Sequence, residues 1–522
     1  MIASKLSKRK NLKAAMSDQE TPFVIEEEDF DKPHEYCGIV GIFNHPNAAL
    51  LTYYGLHALQ HRGQEAAGIV TVDTEPKKNK RHMYSHRGFG LVTEVFRDPE
   101  IFSKNLPGKM AIGHNRYSTS GSSKKLANVQ PFQVHYRNGN LALGHNGNLS
   151  NIREIRNRLI EQGTIFQTTT DSEVILHLIA RSLEQDQISQ IKSALLQVKG
   201  AFCLVILTDD KLIAVRDPNG FRPLALGKKD NAYVVASETC ALDMIGAEYV
   251  REIEPGEILV IENGSEHTIN MHSYFLPRPE KTAKCIFEFV YFSRPDSKIF
   301  GESVDKVRRK LGKNLALESP VHPDNDEEKV IVISVPDSSN TTTLGFVTES
   351  QKQGINARYE IGLIRNHYVG RTFISPEEDS REFKVRTKFN PVKGVIEGKK
   401  LVVVDDSIVR GTTSKLLMQL IREAKPKEIH FRVSSPMIRH ACHYGMDFPD
   451  REKLIANQFD GDVERIKNEI GVDSLSYLSI EGMLASVGFE GTDIEESGFC
   501  TACFSGKYPV TVEKGISKEE ND

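Results

Sequence analysis

Two adjacent carboxylates, Asp405 and Asp406, close the apolar β-branched run LVVV and are followed by SIVRGTTSK. The run reads as a buried strand. The stretch after it reads as an amphipathic helix with Leu416, Leu417, Leu420 and Ile421 on one face. Neighbouring acids at a strand end repel one another unless a cation or hydroxyl groups compensate. Here they can hold ribose hydroxyls or a hydrated Mg²⁺. The backbone N–H groups around Gly411, Thr412 and Thr413 stand at a helix N-terminus, where an anion is favoured. Together these features suit a phosphoribosyl group with a pyrophosphate to lose. A plain βα turn with a hydroxyl cap would account for Thr412 but not for the acidic pair.

A nucleophile stands near the other end of the chain. Cys37 opens the strand-like CGIVGIF after 36 polar, charge-segregated residues without periodicity, which read as a removable leader. If the leader is cut before Cys37, one residue carries both a thiol and an α-amine, whose reference pKa is about 7.7–8.0. The amine can activate the thiol without a histidine, and the pair suits amide hydrolysis through a thioester. On its own, Cys37 would equally be a buried structural thiol. Cys285, Cys442, Cys500 and Cys503 form a third group, the last two as FCTACF. Four thiolates suit Zn²⁺ or an iron–sulfur cluster, and spacing does not choose between them. Cys203 and Cys240 read as core residues, and no H-E-x-x-H pattern suggests a histidine metal site.

The elements that position these groups fall into two styles. From Cys37 to about residue 275, KMAIGHNRY, LALGHNGNLS, AFCLVILTD and KLIAVRD are strand-like, with the helix-like AALLTYYGLHALQ among them, which predicts an α+β sandwich. The proline-containing LPRPEK marks a boundary. Beyond it VIVISVPD, RYEIGLI, KLVVVDD and EIHFRVSS alternate with helices, the pattern of a doubly wound parallel sheet. The expected organisation is a leader at 1–36, a first domain at 37–275, a second at 276–470, and a C-terminal segment at 471–522 with the paired cysteines. At 522 residues this agrees with domains of roughly 100–200 residues.

Composition excludes several classes. The net charge of −4 is mixed in sign, so neither a nucleic-acid binder nor a membrane-surface binder is expected. No apolar run approaches the roughly 20 residues of a membrane span. The N-terminal MIASKLSKRKNLK is basic but lacks the apolar core of a secretory signal. Seven cysteines in such a chain predict a reducing, cytoplasmic setting.

The segments CGIVGIF, ALQHRGQEAAGI, GHNRYSTSG, GHNGNLSN and TTTDSE resemble, in that order, the glutaminase domain of N-terminal-nucleophile amidotransferases. Joined to the phosphoribosyl loop, the resemblance is to the glutamine phosphoribosylpyrophosphate amidotransferase family and runs from Cys37 to about Pro509. It implies an N-terminal-nucleophile αββα sandwich followed by a type I phosphoribosyltransferase doubly wound parallel sheet. It further implies Cys37 as nucleophile, with Asn146 and Gly147 as oxyanion hole. Arg62, Arg116, Thr119 and Asp171 would bind glutamine. Asp405, Asp406, Ser407, Arg410, Gly411, Thr412, Thr413, Arg365 and Tyr368 would bind phosphoribosylpyrophosphate, with Ser339, Asp405 and Asp406 around Mg²⁺.

One branch of the family holds a structural, oxygen-sensitive [4Fe–4S] cluster at cysteines matching Cys285, Cys442, Cys500 and Cys503. The resemblance implies ammonia passing inside the protein from glutamine to C1 of phosphoribosylpyrophosphate, inhibition by purine nucleotides such as AMP and GMP, and a homo-oligomer, dimer or tetramer. The sequence departs from the family at Tyr36, where relatives carry an acid before the cut. It departs again at Asn340–Thr343, where small apolar residues are usual, and at His367, which is charged only in part at neutral pH. A glucosamine-phosphate type amidotransferase would share the glutaminase half, but the 401–415 loop argues against it. A non-catalytic phosphoribosylpyrophosphate sensor or a cluster-based electron carrier would leave the filled catalytic positions without purpose.

Overall fold

The β-branched and apolar residues of Gly38–Phe43 put that strand in the middle of a seven-stranded antiparallel sheet, every residue of it buried. Its neighbours are Ala232–Ala236 and Met110–Arg116, and the sheet continues through Ala66–Val72 to Met83–Phe89. The protein is described from a computed structural model covering residues 37–73, 83–117, 125–265, 268–366 and 381–512, all within the compact unit Asp31–Asp522.

A second antiparallel sheet has six strands, in the spatial order Ile269–Phe275, Glu257–Asn263, Lys211–Arg216, Gly200–Thr208, Gly139–Leu149 and Phe132–Tyr136. Ile39, Phe43, Val70 and Ile112 of the first sheet meet Ala142, Val205, Leu207 and Ala214 of the second in a dry layer. Helices Ala48–Ala58 and Thr239–Ile245 cover the outer face of the first sheet, and Ile152–Glu161, Ser172–Arg181 and Gln187–Leu195 that of the second. The result is the four-layer αββα sandwich that the family resemblance implied, and it agrees with the α+β sandwich read from the strand pattern.

The second half is a five-stranded parallel sheet, Ala357–Tyr359, Val330–Ser334, Lys400–Asp405, Glu428–Val433 and Ser474–Tyr477, doubly wound as predicted. Two sequence expectations change here. RYEIGLI is not one strand: Ala357–Tyr359 joins the parallel sheet, while Leu363–Arg365 pairs antiparallel with Phe389–Pro391. The boundary at 470/471 also moves, because Ser474–Tyr477 is the sheet's outer strand and Asn314 Nδ2 of helix Val304–Glu318 donates to the Gly482 carbonyl of helix Ile480–Ser486 at 2.8 Å. A four-residue strand flanked by polar loops carries too little apolar pattern to be seen in sequence. On helix Thr412–Arg422, Leu417, Met418, Leu420 and Ile421 are buried, and Leu416 is half-buried at the edge of that face.

Candidate functional site: a thiol pocket and a phosphosugar loop

Cys37 lies just before the central strand, 7% exposed, and its Sγ–H donates to the Tyr117 carbonyl at 3.9 Å. The register Gly38↔Asn115 brings the start of this strand beside Arg116 at the end of Met110–Arg116. Arg116 is 3% exposed. Burial pushes the Cys37 thiol up to about 11; the Tyr117 carbonyl and the Arg116 charge act against that rise, and Asp171 adds to it. Arg116 and Asp171 therefore both act electrostatically on the thiol, with opposite signs.

Asp171, 5% exposed, precedes helix Ser172–Arg181 and is held from three sides. Leu149 N donates to it at 3.1 Å, Ser172 Oγ at 3.1 Å, and His145 Nδ1 lies 3.6 Å away. Burial raises this carboxyl, but those three partners outweigh it and hold the group below the usual carboxylate range. His145 in turn contacts Ser172 Oγ at 2.9 Å, and Gln130 Oε1 accepts the His145 N–H at 2.8 Å. Sequence reading missed His145, Ser172 and Gln130 as supports. The one signal was the GHN triplet, which occurs at 113–115 and again at 144–146 on the two facing sheets.

Asn146 is fully buried, and neither its amide nitrogen nor its amide oxygen has a hydrogen-bond partner among the described residues. An orphaned buried amide costs about 1–3 kcal/mol per lost bond, so it persists where something else is to be bound. Gly147 has φ +149°, and an added Cβ would stand 2.0 Å from the Ala201 carbonyl, so only glycine fits there.

Arg62 is set among buried charges. It is 2% exposed and its guanidinium is engaged by Glu238 and by Glu288, the latter at 2.5 Å. A buried guanidinium needs paired charges, and two glutamates distant in sequence supply them, so Arg62 is part of an ion-pair core. Thr119, Tyr368, Tyr36 and His367 lie outside the described residues.

At the second centre, Asp405, Asp406 and Ser407 are 2%, 1% and 4% exposed. Ser339 Oγ donates to Asp405 at 3.2 Å and Ser338 Oγ to Asp406 at 2.5 Å, so the 336–340 loop and the acidic pair form one hydroxyl–carboxylate cluster. Both loops leave the C-terminal ends of adjacent parallel strands, Val330–Ser334 and Lys400–Asp405, the position at which open α/β sheets bind ligands. The hydroxyl-rich start of helix Asn340–Lys352 is accommodated: Thr342 and Thr343 are buried, and Thr343 Oγ1 donates to the Ser339 carbonyl at 2.7 Å.

Gly411 precedes helix Thr412–Arg422 at φ +83°, where an added Cβ would meet Ile455 at 2.2 Å. Arg410, Gly411 and Thr412 line a cleft of ≈ 520 Å³ with Lys453 and Lys415, which sequence reading did not single out; Thr413, next in the helix, is buried. Arg365 pairs with Asp337 of the 336–340 loop at 3.0 Å.

The four cysteines converge although their sequence positions are far apart. Cys285 and Cys500 are register partners in a short parallel pairing, and burial pushes both thiols up. Cys503 lies within electrostatic range of Cys442, Cys285 and Cys500. Cys442 Sγ accepts the N–H groups of Tyr444 and Met446 at 3.4 Å each. Cys203 and Cys240 are buried core residues, as expected.

These features agree with known proteins. Residues 114–244 match a glutamine amidotransferase domain. Amidophosphoribosyltransferase 1, chloroplastic, of Arabidopsis thaliana is 48% identical over 94% of this chain and 81% of its own length. A solved allosteric regulatory enzyme of purine biosynthesis is 46% identical with a TM-score of 0.83, covering 93% of this chain and 99% of that one. The glutamine phosphoribosylpyrophosphate amidotransferase of B. subtilis, solved with ADP and GMP, is 47% identical with a TM-score of 0.81, covering 92% and 98%. With both half-sites in one chain and such likeness along nearly its whole length, the protein belongs to the amidophosphoribosyltransferase family, glutamine-dependent enzymes of the first step of purine biosynthesis.

Proposed function

We propose that the chain, once its leader is removed, hydrolyses glutamine at Cys37 and delivers the ammonia internally to C1 of phosphoribosylpyrophosphate. The products are 5-phosphoribosylamine, glutamate and pyrophosphate. The observation that carries this reading is the unpartnered Asn146 amide, buried in the same sandwich as Cys37. Asn146 Nδ2 and the Gly147 N–H serve as oxyanion donors, Arg116 takes the substrate carboxylate, and Asp171 takes its ammonium. Asn146→Ala should lower kcat for glutamate release about 10²–10³-fold, the usual effect of removing one such donor. A change under about threefold in steady-state assays would remove Asn146 from this role.

In the second site Asp405 and Asp406 hold the ribose hydroxyls and, with Ser339, a Mg²⁺. The donor set fits that ion, which is commonly bound by one or two carboxylates together with substrate phosphates. Bound by Ser339, Asp405 and Asp406, Mg²⁺ would supply positive charge against the departing pyrophosphate. Ser407, Arg410, Gly411, Thr412 and Thr413 bind the 5′-phosphate side, and Arg365 the pyrophosphate. Asp406→Asn should reduce ammonia-dependent phosphoribosylamine formation on the order of 10²-fold, as expected for loss of a charge-assisted contact of about 3 kcal/mol; an unaltered rate would exclude the assignment.

Cys285, Cys442, Cys500 and Cys503 fit a [4Fe–4S] cluster with a structural role. The reading is supported by the convergence of Cys285 and Cys500 in one pairing with Cys503 and Cys442 beside them. Purine nucleotides act as feedback inhibitors, a reading supported by the relative solved with ADP and GMP, and the enzyme is a homo-oligomer. No described helix is long and apolar enough to cross a membrane; a cytoplasmic location belongs to this proposal.

The deciding experiment is glutamate release by anaerobically prepared protein with and without phosphoribosylpyrophosphate and Mg²⁺. Release stimulated by both supports the coupled enzyme. No release from protein whose N-terminus is Cys37, with phosphoribosylpyrophosphate still bound, would favour a sensor.

A further inference from the structure

The strand that carries Asn146 and Gly147 continues into Asn148, whose side chain leaves the glutaminase half. Asn148 Nδ2 donates to the His443 carbonyl at 3.0 Å, across 295 positions of sequence. His443 directly follows Cys442. The same end of the strand is supported a second time. Ala201, the register partner of Asn148, is buried in an apolar cluster with Phe221, Tyr444 and Cys500. Phe221 stacks on Tyr444 with ring centroids 4.5 Å apart, and Arg222 Nη2 donates to the Tyr444 carbonyl at 3.3 Å.

The 441–446 segment has no helix or strand of its own. Its shape depends on what holds it. The N–H groups of Tyr444 and Met446 converge on Cys442 Sγ, and Tyr508 Oη donates to the Ala441 carbonyl at 2.7 Å. A segment wound about one sulfur is therefore fixed by whatever fixes that sulfur.

We propose that Asn148 is a positioning residue for glutamine hydrolysis: it anchors the oxyanion strand to the Cys442 segment, so the group held by the four cysteines keeps Asn146 and Gly147 in place. The second half of this statement rests on the cluster reading above. The first half rests only on the Asn148–His443 bond and the Ala201–Tyr444 packing. The physical ground is that oxyanion donors must be held within about 0.5 Å of their working geometry, and loosely supported donors lose most of their effect.

The test uses the processed holoenzyme and Asn148→Asp, which keeps the shape and removes the donor, with Asn148→Ala beside it. Glutamate release, KM for glutamine, ammonia-dependent phosphoribosylamine formation and iron per chain are measured together. The expected result is a fall in kcat for glutamate release of about tenfold, with glutamine KM, ammonia-dependent synthesis and iron content unchanged. An unchanged kcat overturns the proposal. So does a parallel fall in both activities, which is what a merely structural role would give. In a second arm, wild-type protein is exposed to air: glutamate release should fall in step with the visible absorbance and ahead of ammonia-dependent synthesis. If both activities fall together, the link from the cysteines to the oxyanion strand is refuted. Wild-type protein lacking iron and visible absorbance refutes the cluster reading and leaves the Asn148 variants to decide the first half.

Discussion

Replacing Cys37 by Ala will abolish glutamate release, a loss on the order of 10⁴-fold or more, the scale on which removal of a nucleophile acts. Ammonia-dependent phosphoribosylamine formation will persist, because the Asp405–Asp406 cluster has its own supports from Ser338 and Ser339. The reason the effect is so large lies in the state of the thiol. Burial raises it to about 11, with the Tyr117 carbonyl and Arg116 opposing that rise. At neutral pH it carries its proton and needs a base. Among the described residues no histidine is a hydrogen-bond partner of Cys37, whose Sγ–H donates to the Tyr117 carbonyl. In the proposed mechanism the base is its own α-amine, freed by removal of the leader. A base must be neutral, so glutamate release should rise with pH as the amine loses its proton, near its reference value of about 7.7–8.0. The same chain with residue 36 still attached has an amide at that position and should release no glutamate. Full activity in a chain shown by mass spectrometry to retain the leader would overturn the amine's role.

The second large effect is on stability. Glu288→Ala should destabilise the protein by about 3–5 kcal/mol, the cost of leaving a buried charge without its counter-ion. Glu288 is fully buried and accepts from Arg62 at 2.5 Å, Arg222 at 2.9 Å and Ser293 at 2.7 Å. Burial raises its carboxyl, but Arg62 and Arg222 hold it below the ordinary range. Without it, two guanidinium groups that are each 2% exposed lose a shared anion. The damage would spread, because Arg308 binds the same turn through the carbonyls of Phe289, Tyr291 and Ser293. Denaturant unfolding of wild type, Glu288→Ala and Glu288→Gln checks this. A loss below about 1 kcal/mol for the Ala variant would mean that Arg62 and Arg222 find water or other anions, and that the ion-pair core does not hold the two halves.

Arg62 marks the limit of what motif and spacing reveal. Within QHRGQ it reads as one more cation for glutamine, yet its partners Glu238 and Glu288 lie 176 and 226 positions away. The strands themselves were legible, because CGIVGIF and LVVVDD are buried on both sides and so carry continuous apolar runs. The parallel sheet was legible for the same reason, except for Ser474–Tyr477, where edge position and short length leave a weak pattern. The residues proposed to carry chemistry, Cys37, Asn146, Asp405 and Asp406, stand out in sequence because a candidate nucleophile, a donor and an acidic pair each have a local signature. What surrounds them could not. The supports His145, Ser172 and Ser338, the counter-ions Glu238 and Glu288, and the Asn148–His443 contact all join segments that only packing brings together. Local sequence thus determined the strands and the two candidate centres at their ends, through hydrophobic run length and turn chemistry. The tertiary structure alone decided which buried charges are paired and what holds each centre rigid, because desolvated polar groups take partners by proximity in space, and proximity across hundreds of residues leaves no trace in any one segment.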